Sequence, residues 1–306
     1  MNVSIIIVNY NTGMLLQKCI ESIYEKTNSI DYEILVVDNS SSDDSVKMIS
    51  TLFPTVKIIA SPENIGFGKA NNLGAAQAMG ELLFFLNSDT ELINDAVRIL
   101  SDFYLATPEC GIAGGNLYNT DLSPQHSYAM KLPSAWTELA RFIPRLTEIF
   151  EGPNAWFNRT EEPREVGYIT GADLMISRKL FLESGGFDSD FFMYYEETEL
   201  THRIINAGYK VFSVPQAKIL HLKGASLEKI EGVKRIVYES KYLYLRKTFG
   251  NLECVKAHFI FSYYCLFKSY LHTLFRNRTI ADKYKSMRII DSEVFKDRKE
   301  IDIYGA

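Results

Sequence analysis

Apolar and polar positions along the first hundred residues switch between two spacings. Val3 to Val8 is a β-branched run unbroken after Ser4, the mark of a strand covered on both faces, and it stops at Asn9-Tyr10-Asn11-Thr12-Gly13. From Met14 to Glu25, Leu15, Cys19, Ile20 and Ile23 fall on one side of a helix. Tyr32 to Val37 reads as a second strand that runs into the polar loop Asp38 to Asp44, whose residues cap a helix over Ser45 to Leu52. Val56 to Ala60, Lys69 to Met79 and Glu81 to Leu86 continue the series as strand, helix and strand. Strict alternation of this kind predicts an α/β fold: a Rossmann-like, doubly wound, mostly parallel sheet.

Periodicity weakens after Gly111. The stretch from Leu117 to Glu165 holds five prolines and both tryptophans, Trp136 and Trp156, and long segments of this type are usually functional or mobile. Order returns with Ala172 to Ser177 as a strand, Arg178 to Ser184 as a helix and Thr198 to Asn206 as a helix stopped by Gly208. Lys210 to Val214 and Lys218 to Leu222 then read as two strands, and beyond Glu228 the pattern is helical and aromatic to about Arg288.

Charge changes this picture in one place. The net charge of −5 argues against a nucleic-acid binder, which needs a basic surface. Residues 233–288 nevertheless carry twelve Lys or Arg against Glu239, Glu253 and Asp282, a local +9. Four cysteines without metal-binding spacing fit a reducing compartment, and the first residues lack the basic and apolar regions of a signal peptide, so the expected address is cytoplasmic.

Chemistry concentrates at the ends of strands. In open α/β sheets ligands bind outside the carboxyl ends of the strands. Asp38 follows the second strand, Asp89 follows Leu86-Asn87-Ser88 after the fourth, and Glu196-Glu197-Thr198-Glu199 opens a later helix. Taken singly, Asp38 and Asp89 can equally cap the next helix, and Glu199 can pair with Arg203 at i+4. The first loop contains neither G-x-G-x-x-G nor a P-loop, so a diphosphate bound there needs another counter-charge, which a metal held by Asp89 supplies.

Seven motifs in order carry a family resemblance. Val8-Asn9-Tyr10-Asn11, Val36-Val37-Asp38-Asn39-Ser40, Asn64-Ile65-Gly66-Phe67-Gly68, Leu86-Asn87-Ser88-Asp89, Gly171-Ala172, Gly186-Phe187-Asp188 and Tyr195-Glu196-Glu197-Thr198-Glu199 resemble the family 2 glycosyltransferases, above all their rhamnosyltransferase-like branch. The resemblance spans about residues 3–250. It implies a GT-A catalytic domain over 1–228, with a nucleotide-binding half to about 115 and an acceptor half after it, followed by a helical extension over 229–306. It implies an inverting transfer from a dTDP- or UDP-linked sugar, with rhamnose a candidate, to a glycan acceptor carried on a lipid, in surface polysaccharide synthesis.

By the same resemblance, Tyr10, Asn11, Asp38, Asn71, Asn72, Asn87 and Ser88 bind the nucleotide sugar. Asp89 matches the second acid of the family's D-x-D, with Asn87 in place of the first. Asp89 and His221 are the implied ligands of a divalent metal, Mn or Mg, the imidazole favouring Mn. Glu197 stands at the position of the base that takes the acceptor proton, and Glu196 is the second candidate because the family's aspartate is a glutamate here. A nucleotidyltransferase is the runner-up, opposed by the missing glycine-rich first loop, and a non-catalytic sugar-nucleotide module is a third reading.

The basic C-terminal third contains Phe259-Ile260-Phe261-Ser262-Tyr263-Tyr264-Cys265-Leu266-Phe267, too short between Lys256 and Lys268 to span a membrane. Two readings stay open: peripheral contact of 233–288 with an anionic membrane face, or packing against the catalytic domain or within a homo-oligomer.

Overall fold

The structure is a computed structural model that describes residues 2–140, 154–222 and 232–303. In chain order its elements are β1 (Val3–Asn9), α1 (Gly13–Lys26), β2 (Tyr32–Asp38), α2 (Ser45–Leu52), β3 (Lys57–Ala60), α3 (Phe67–Gln77), β4 (Leu82–Leu86), β5 (Thr90–Leu92), α4 (Ala96–Ala106), β6 (Cys110–Tyr118), β7 (Tyr128–Ala129) and α5 (Ala135–Ala140). There follow β8 (Arg164–Val166), β9 (Tyr168–Ile169), β10 (Asp173–Ser177), α6 (Arg178–Glu183), α7 (Glu196–Asn206), β11 (Lys210–His221), α8 (Val233–Phe249), α9 (Asn251–Leu274) and α10 (Arg278–Ile303). They form two compact units, Met1–Leu132 with Pro153–Glu231, and Pro133–Gly152 with Gly232–Ala306.

The first unit is built on one sheet in the order β3-β2-β1-β4-β10-β6-β11-β5, with β8 on the flank of β11. β3, β2, β1 and β4 run parallel, and β10 enters antiparallel between β4 and β6. The sheet is thus mostly parallel and doubly wound, as the alternation of spacings predicts. Both faces are covered because alternate residues of β1 feed different cores. Ile5 and Ile7 pack with Leu16, Ile20, Val97 and Leu100 of α1 and α4, while Ile6 packs with Ala70, Ala75, Leu200 and Ile204 of α3 and α7. Every residue named in these two layers is at most 1 % exposed, which is why an unbroken apolar run is tolerated in β1.

Three local differences from the sequence reading matter for the site. β6 lies where periodicity fades, because Gly114 and Gly115 replace side chains at close approaches: a Cβ on them would sit 2.4 Å from Ile169 Cγ2 and 2.6 Å from the Ala217 carbonyl. β11 is a single strand whose register shifts between Ser213 and Lys218, where two strands were expected. α7 begins at Glu196, two residues before Thr198, so both acidic candidates stand in its first turn.

The second unit is helical. Asp291 of α10 is fully buried and accepts hydrogen bonds from Tyr242 Oη of α8 at 2.6 Å and His258 Nδ1 of α9 at 2.7 Å, and from Lys241 Nζ at 3.1 Å. Burial alone raises the Asp291 pKa, but the His258 bond and the Lys241 charge outweigh it and hold the carboxyl below its ordinary value. Among the described residues no helix is long and apolar enough to cross a membrane.

Candidate functional site

Hydrogen bonds between loops gather the carboxyl ends of β1, β2 and β4. Asn9, buried at the end of β1, donates through Nδ2 to Asp38 Oδ1 and Ser45 Oγ, both at 2.8 Å. Thr12 Oγ1 donates to Asn9 Oδ1 at 2.7 Å and lies 2.9 Å from Ser88 Oγ. Asp38 also accepts from the Ser41 amide at 3.0 Å. This relay fixes the turn that presents Asp89, and it occupies the Asp38 carboxylate in holding the loops together.

Asp89 and His221 meet because β5 and β11 pair antiparallel with Thr90 opposite His221. Asp89 is 3 % exposed, and its Oδ1 lies 3.4 Å from His221 Nε2. On the other side of the ring, Nδ1 is 2.7 Å from Gln125 Oε1. Gln125 Nε2 donates to the His221 carbonyl at 2.9 Å and to Asn119 Oδ1 at 2.8 Å, both acceptors, which fixes the orientation of the amide. His221 Nδ1 therefore donates to Gln125 Oε1, which leaves Nε2 as the ring atom that faces Asp89. Beside them the Asn87 side-chain oxygen is buried without a hydrogen-bond partner. A carboxylate, an imidazole nitrogen and an unpartnered amide oxygen make a mixed N/O donor set that fits a divalent cation of the Mn type. Among the described residues no cluster of three or more His, Cys, Asp or Glu is placed to hold a metal ion, so an ion here would rest on these three groups and on substrate or water.

The acids arrive on a strained loop. Tyr194 and Tyr195 take φ of 70° and 67°, in the left-handed region, directly before Glu196. The Phe192 carbonyl of this loop accepts from the Phe67 amide at 2.7 Å. Glu196 packs against α3 where Gly68 leaves room: a Cβ there would stand 3.4 Å from Glu196 Cγ. One oxygen of Glu196, Oε2, is buried without a partner, whereas Glu197 Oε1 accepts from Thr198 Oγ1 at 3.1 Å. Burial, and then the neighbouring charge of Glu197, push the Glu196 pKa well above its ordinary value. Burial also raises Glu197, but hydrogen bonds from Thr198 and backbone amides oppose the rise. Both carboxyls are thus held above the ordinary glutamate value, and Glu197 has the more hydrogen bonds favouring its carboxylate. Glu199 makes the ion pair expected of it, with Arg203 at 2.7 Å.

A cavity of about 340 Å³ unites these groups. Tyr10, Asn87, Ser88, Asp89, His221, Glu196 and Glu197 line it, with Gly171 and Ala172 completing one wall. Asn11, Asp38, Asn71 and Asn72 lie outside the lining. Asn11 accepts the Ser42 amide at 2.7 Å, Asn71 donates to the Phe67 carbonyl at 3.1 Å, and Asn72 bonds Phe187 through both its carbonyl and its amide, at 2.7 and 2.9 Å. The lining adds Asn39, Asn64, Phe192 and Tyr194, which the sequence reading did not single out as site residues. The aromatic run Phe191-Phe192-Met193-Tyr194-Tyr195 just ahead of the acids is the signal that reveals the last two. Of the two tryptophans in the stretch where periodicity weakens, Trp156 packs locally, with the Arg159 guanidinium 4.7 Å from its ring. Trp136 is exposed on α5 in the second unit, and residues 223–231 after His221 lie outside the described residues.

Comparison with known proteins bears on the family and the fold. The family model described as glycosyl transferase family 2 matches residues 4–162. The chain is 29 % identical over 245 residues to an N-acetylglucosaminyl-diphospho-decaprenol L-rhamnosyltransferase of Mycobacterium tuberculosis, covering 72 % of this chain and 76 % of the relative. It is 22 % identical to the dTDP-rhamnosyl transferase RfbF of Shigella flexneri over 94 % of this chain and 92 % of that one. Its fold superposes with a TM-score of 0.62 on the crystal structure of GalNAc-T7 with UDP, GalNAc and Mn2+, at 20 % identity, over 80 % of this chain and 48 % of that chain.

Proposed function

The chain belongs to glycosyl transferase family 2, and from that premise we propose that it moves a sugar, rhamnose first among candidates, from a nucleoside diphosphate to a hydroxyl of a lipid-linked glycan, with inversion. The observation that carries this reading is the meeting of Asp89 and His221 with Glu196 and Glu197 around one cavity. One end of the cavity then takes the diphosphate and the other the attacking hydroxyl. The names of the two bacterial relatives supply the sugar and, for one of them, a lipid diphosphate acceptor. Surface polysaccharide synthesis on the cytoplasmic face of a membrane is the setting such an acceptor implies.

A direct displacement needs a base on the side of the anomeric carbon away from the leaving diphosphate. Glu197 takes this role: its carboxylate removes the acceptor proton as the oxygen attacks, while Glu196, still protonated, leaves a single negative charge on the pair. Asp89, His221 and Asn87 would hold a divalent cation, which when bound neutralises the charge of the diphosphate. Tyr10, with Asn39 and Asn64, lines the side of the cavity given to the nucleoside.

The test is a thermal-shift panel of dTDP-rhamnose, UDP-sugars and GDP-sugars, with and without Mn2+, followed by donor turnover in wild type and Glu197→Gln. A ligand that binds the native state raises Tm. Metal-dependent stabilisation by one nucleotide sugar, with turnover lost in Glu197→Gln and binding kept, supports the assignment. No stabilisation by any nucleotide sugar overturns it.

A further inference from the structure

Helix α9 is apolar on two opposite faces, and the helical unit covers only one. Cys254, Ala257, Phe261, Cys265 and Ser269 are buried. On the other side Leu252, Phe259, Tyr263, Phe267, Tyr270 and Leu274 recur every three, four or seven residues and are each 46–67 % exposed. At 100° per residue these six fall within a narrow arc, so they form one stripe running the length of a 24-residue helix, about 33 Å at 1.5 Å per residue. Scattered exposed apolar residues are ordinary, but an aligned aromatic stripe is not.

The stripe cannot roll inward. Asp291 binds Tyr242 and Lys241 of α8 and His258 of α9 at once, which locks the rotation of α9 against its two neighbours. His258 is further held by Phe295 of α10, stacked at 4.0 Å with rings 5° from parallel. Turning the stripe inward would break these bonds and strand a buried carboxylate.

We propose that this face of α9 lies in the interface of an anionic lipid bilayer, with the aromatic rings among the headgroups and the helix parallel to the membrane plane. Charge selects this occupant. Lys256 is exposed within the stripe, and the Arg288 guanidinium donates to Ser262 Oγ at 3.0 Å, on its flank. At the C-terminal end Phe275 is exposed together with Arg276 and Arg278, and Lys283 and Lys285 follow on α10. Glu253 is the sole carboxylate of α9, and it is already engaged by the Ala135 amide and Lys256. A second copy of the chain would bring like charges together across the stripe, whereas phosphatidylglycerol-type headgroups bring the opposite sign. Phenylalanine and tyrosine with flanking lysine and arginine are the residues that seat a helix at such an interface. The inference concerns membrane attachment alone and does not depend on the transferase reading.

Co-sedimentation of the full chain with vesicles tests it, using phosphatidylcholine alone and phosphatidylcholine with phosphatidylglycerol. Binding is expected to the mixed vesicles, to be at least tenfold weaker to neutral ones, and to fall as salt rises. Phe259→Ser with Tyr263→Ser, both at exposed positions, should reduce binding at least tenfold with Tm unchanged, and Arg276→Glu with Arg278→Glu should do so through charge. Equal binding by both variants and wild type, or no binding to anionic vesicles, overturns the proposal. A Phe259→Ser/Tyr263→Ser variant that changes from dimer to monomer in size-exclusion chromatography, without affecting vesicle binding, assigns the stripe to a second copy and also overturns it.

Discussion

The Phe67 amide donates to the Phe192 carbonyl at 2.7 Å, tying the first residue of α3 to the loop that delivers Glu196 and Glu197. Between them Gly66 has φ 86° and ψ 172°, a conformation that is essentially confined to glycine. A Cβ at Gly66 would stand 2.3 Å from the Phe192 oxygen. The α3 side of the cavity and its acidic side are thus joined through one backbone bond, and a glycine makes that bond possible.

Gly66→Ala should therefore act at both ends. The backbone conformation alone costs about 1–3 kcal/mol, and the clash displaces Phe192 and the two left-handed tyrosines after it. Chemical denaturation should report the loss of stability, and donor turnover should fall more than tenfold. Full activity at wild-type stability would refute the coupling.

Glu197→Gln should lower turnover by about 10²–10⁴, the usual contribution of a general base, with donor affinity retained. Glu196→Gln should reduce it far less, because a protonated acid and an amide carry the same charge. Since only the carboxylate of Glu197 accepts a proton, kcat/KM should rise with pH through a midpoint above the ordinary glutamate value of 4.5. That midpoint should hardly move in Glu196→Gln. An acidic limb that shifts strongly in this variant would show that Glu196 is ionised when Glu197 titrates.

Stability has its own pH signature at Glu196. A carboxyl whose folded pKa is raised binds more protons in the native state, so stability falls as pH rises from the unfolded value, near 4.5, through the folded one. The unpartnered Oε2 and the burial of this group favour the neutral form. Glu196→Gln should thus match wild type below pH 4 and exceed it near neutrality. Each kcal/mol recovered raises Tm by about 2–4 °C for a unit of this size. A variant less stable than wild type at pH 7 would contradict the assignment.

Asn72 illustrates where sequence and structure part. Both ends of its amide bond the Phe187 backbone, bracing the Gly186-Phe187 turn against α3. Asn72→Ala should lose about 1–3 kcal/mol for each buried partner left unsatisfied, while nucleotide affinity in the folded fraction stays the same. A selective loss of nucleotide binding without loss of stability would restore the contact role that its motif implies.

The alternation of β-branched runs and helical spacing made β1, α1, β2, α2 and β4 legible, because each buries a regular face. β6 escaped the pattern because its glycines mark close approaches of Ile169 and Ala217, which sequence spacing does not display. Asp89, Glu196 and Glu197 were readable as acids following apolar runs. Asn9, Thr12 and Gln125 were not, since their roles depend on partners 29, 76 and 96 residues away. Asp38 and Asn72 show the opposite case, in which the motif is plain and the side chain is spent on holding loops.

Gln125 gives the most specific prediction about the proposed metal corner. Its oxygen accepts a hydrogen bond from His221 Nδ1, and its nitrogen donates to the His221 carbonyl and Asn119. Groups that hold a histidine ligand from behind typically affect metal affinity by about 10–100-fold when removed. Gln125→Ala should therefore raise the Mn2+ concentration needed for nucleotide-dependent stabilisation by about that factor. Asp89→Asn should abolish the metal dependence, because it removes the carboxylate itself. Metal-free nucleotide binding should be unchanged in Gln125→Ala, which separates loss of orientation from collapse of the cavity. Isothermal titration of Mn2+ into wild type and both variants, at fixed nucleotide, reads all three outcomes. Equal Mn2+ affinity in wild type and Gln125→Ala would show that the His221 ring needs no orienting partner.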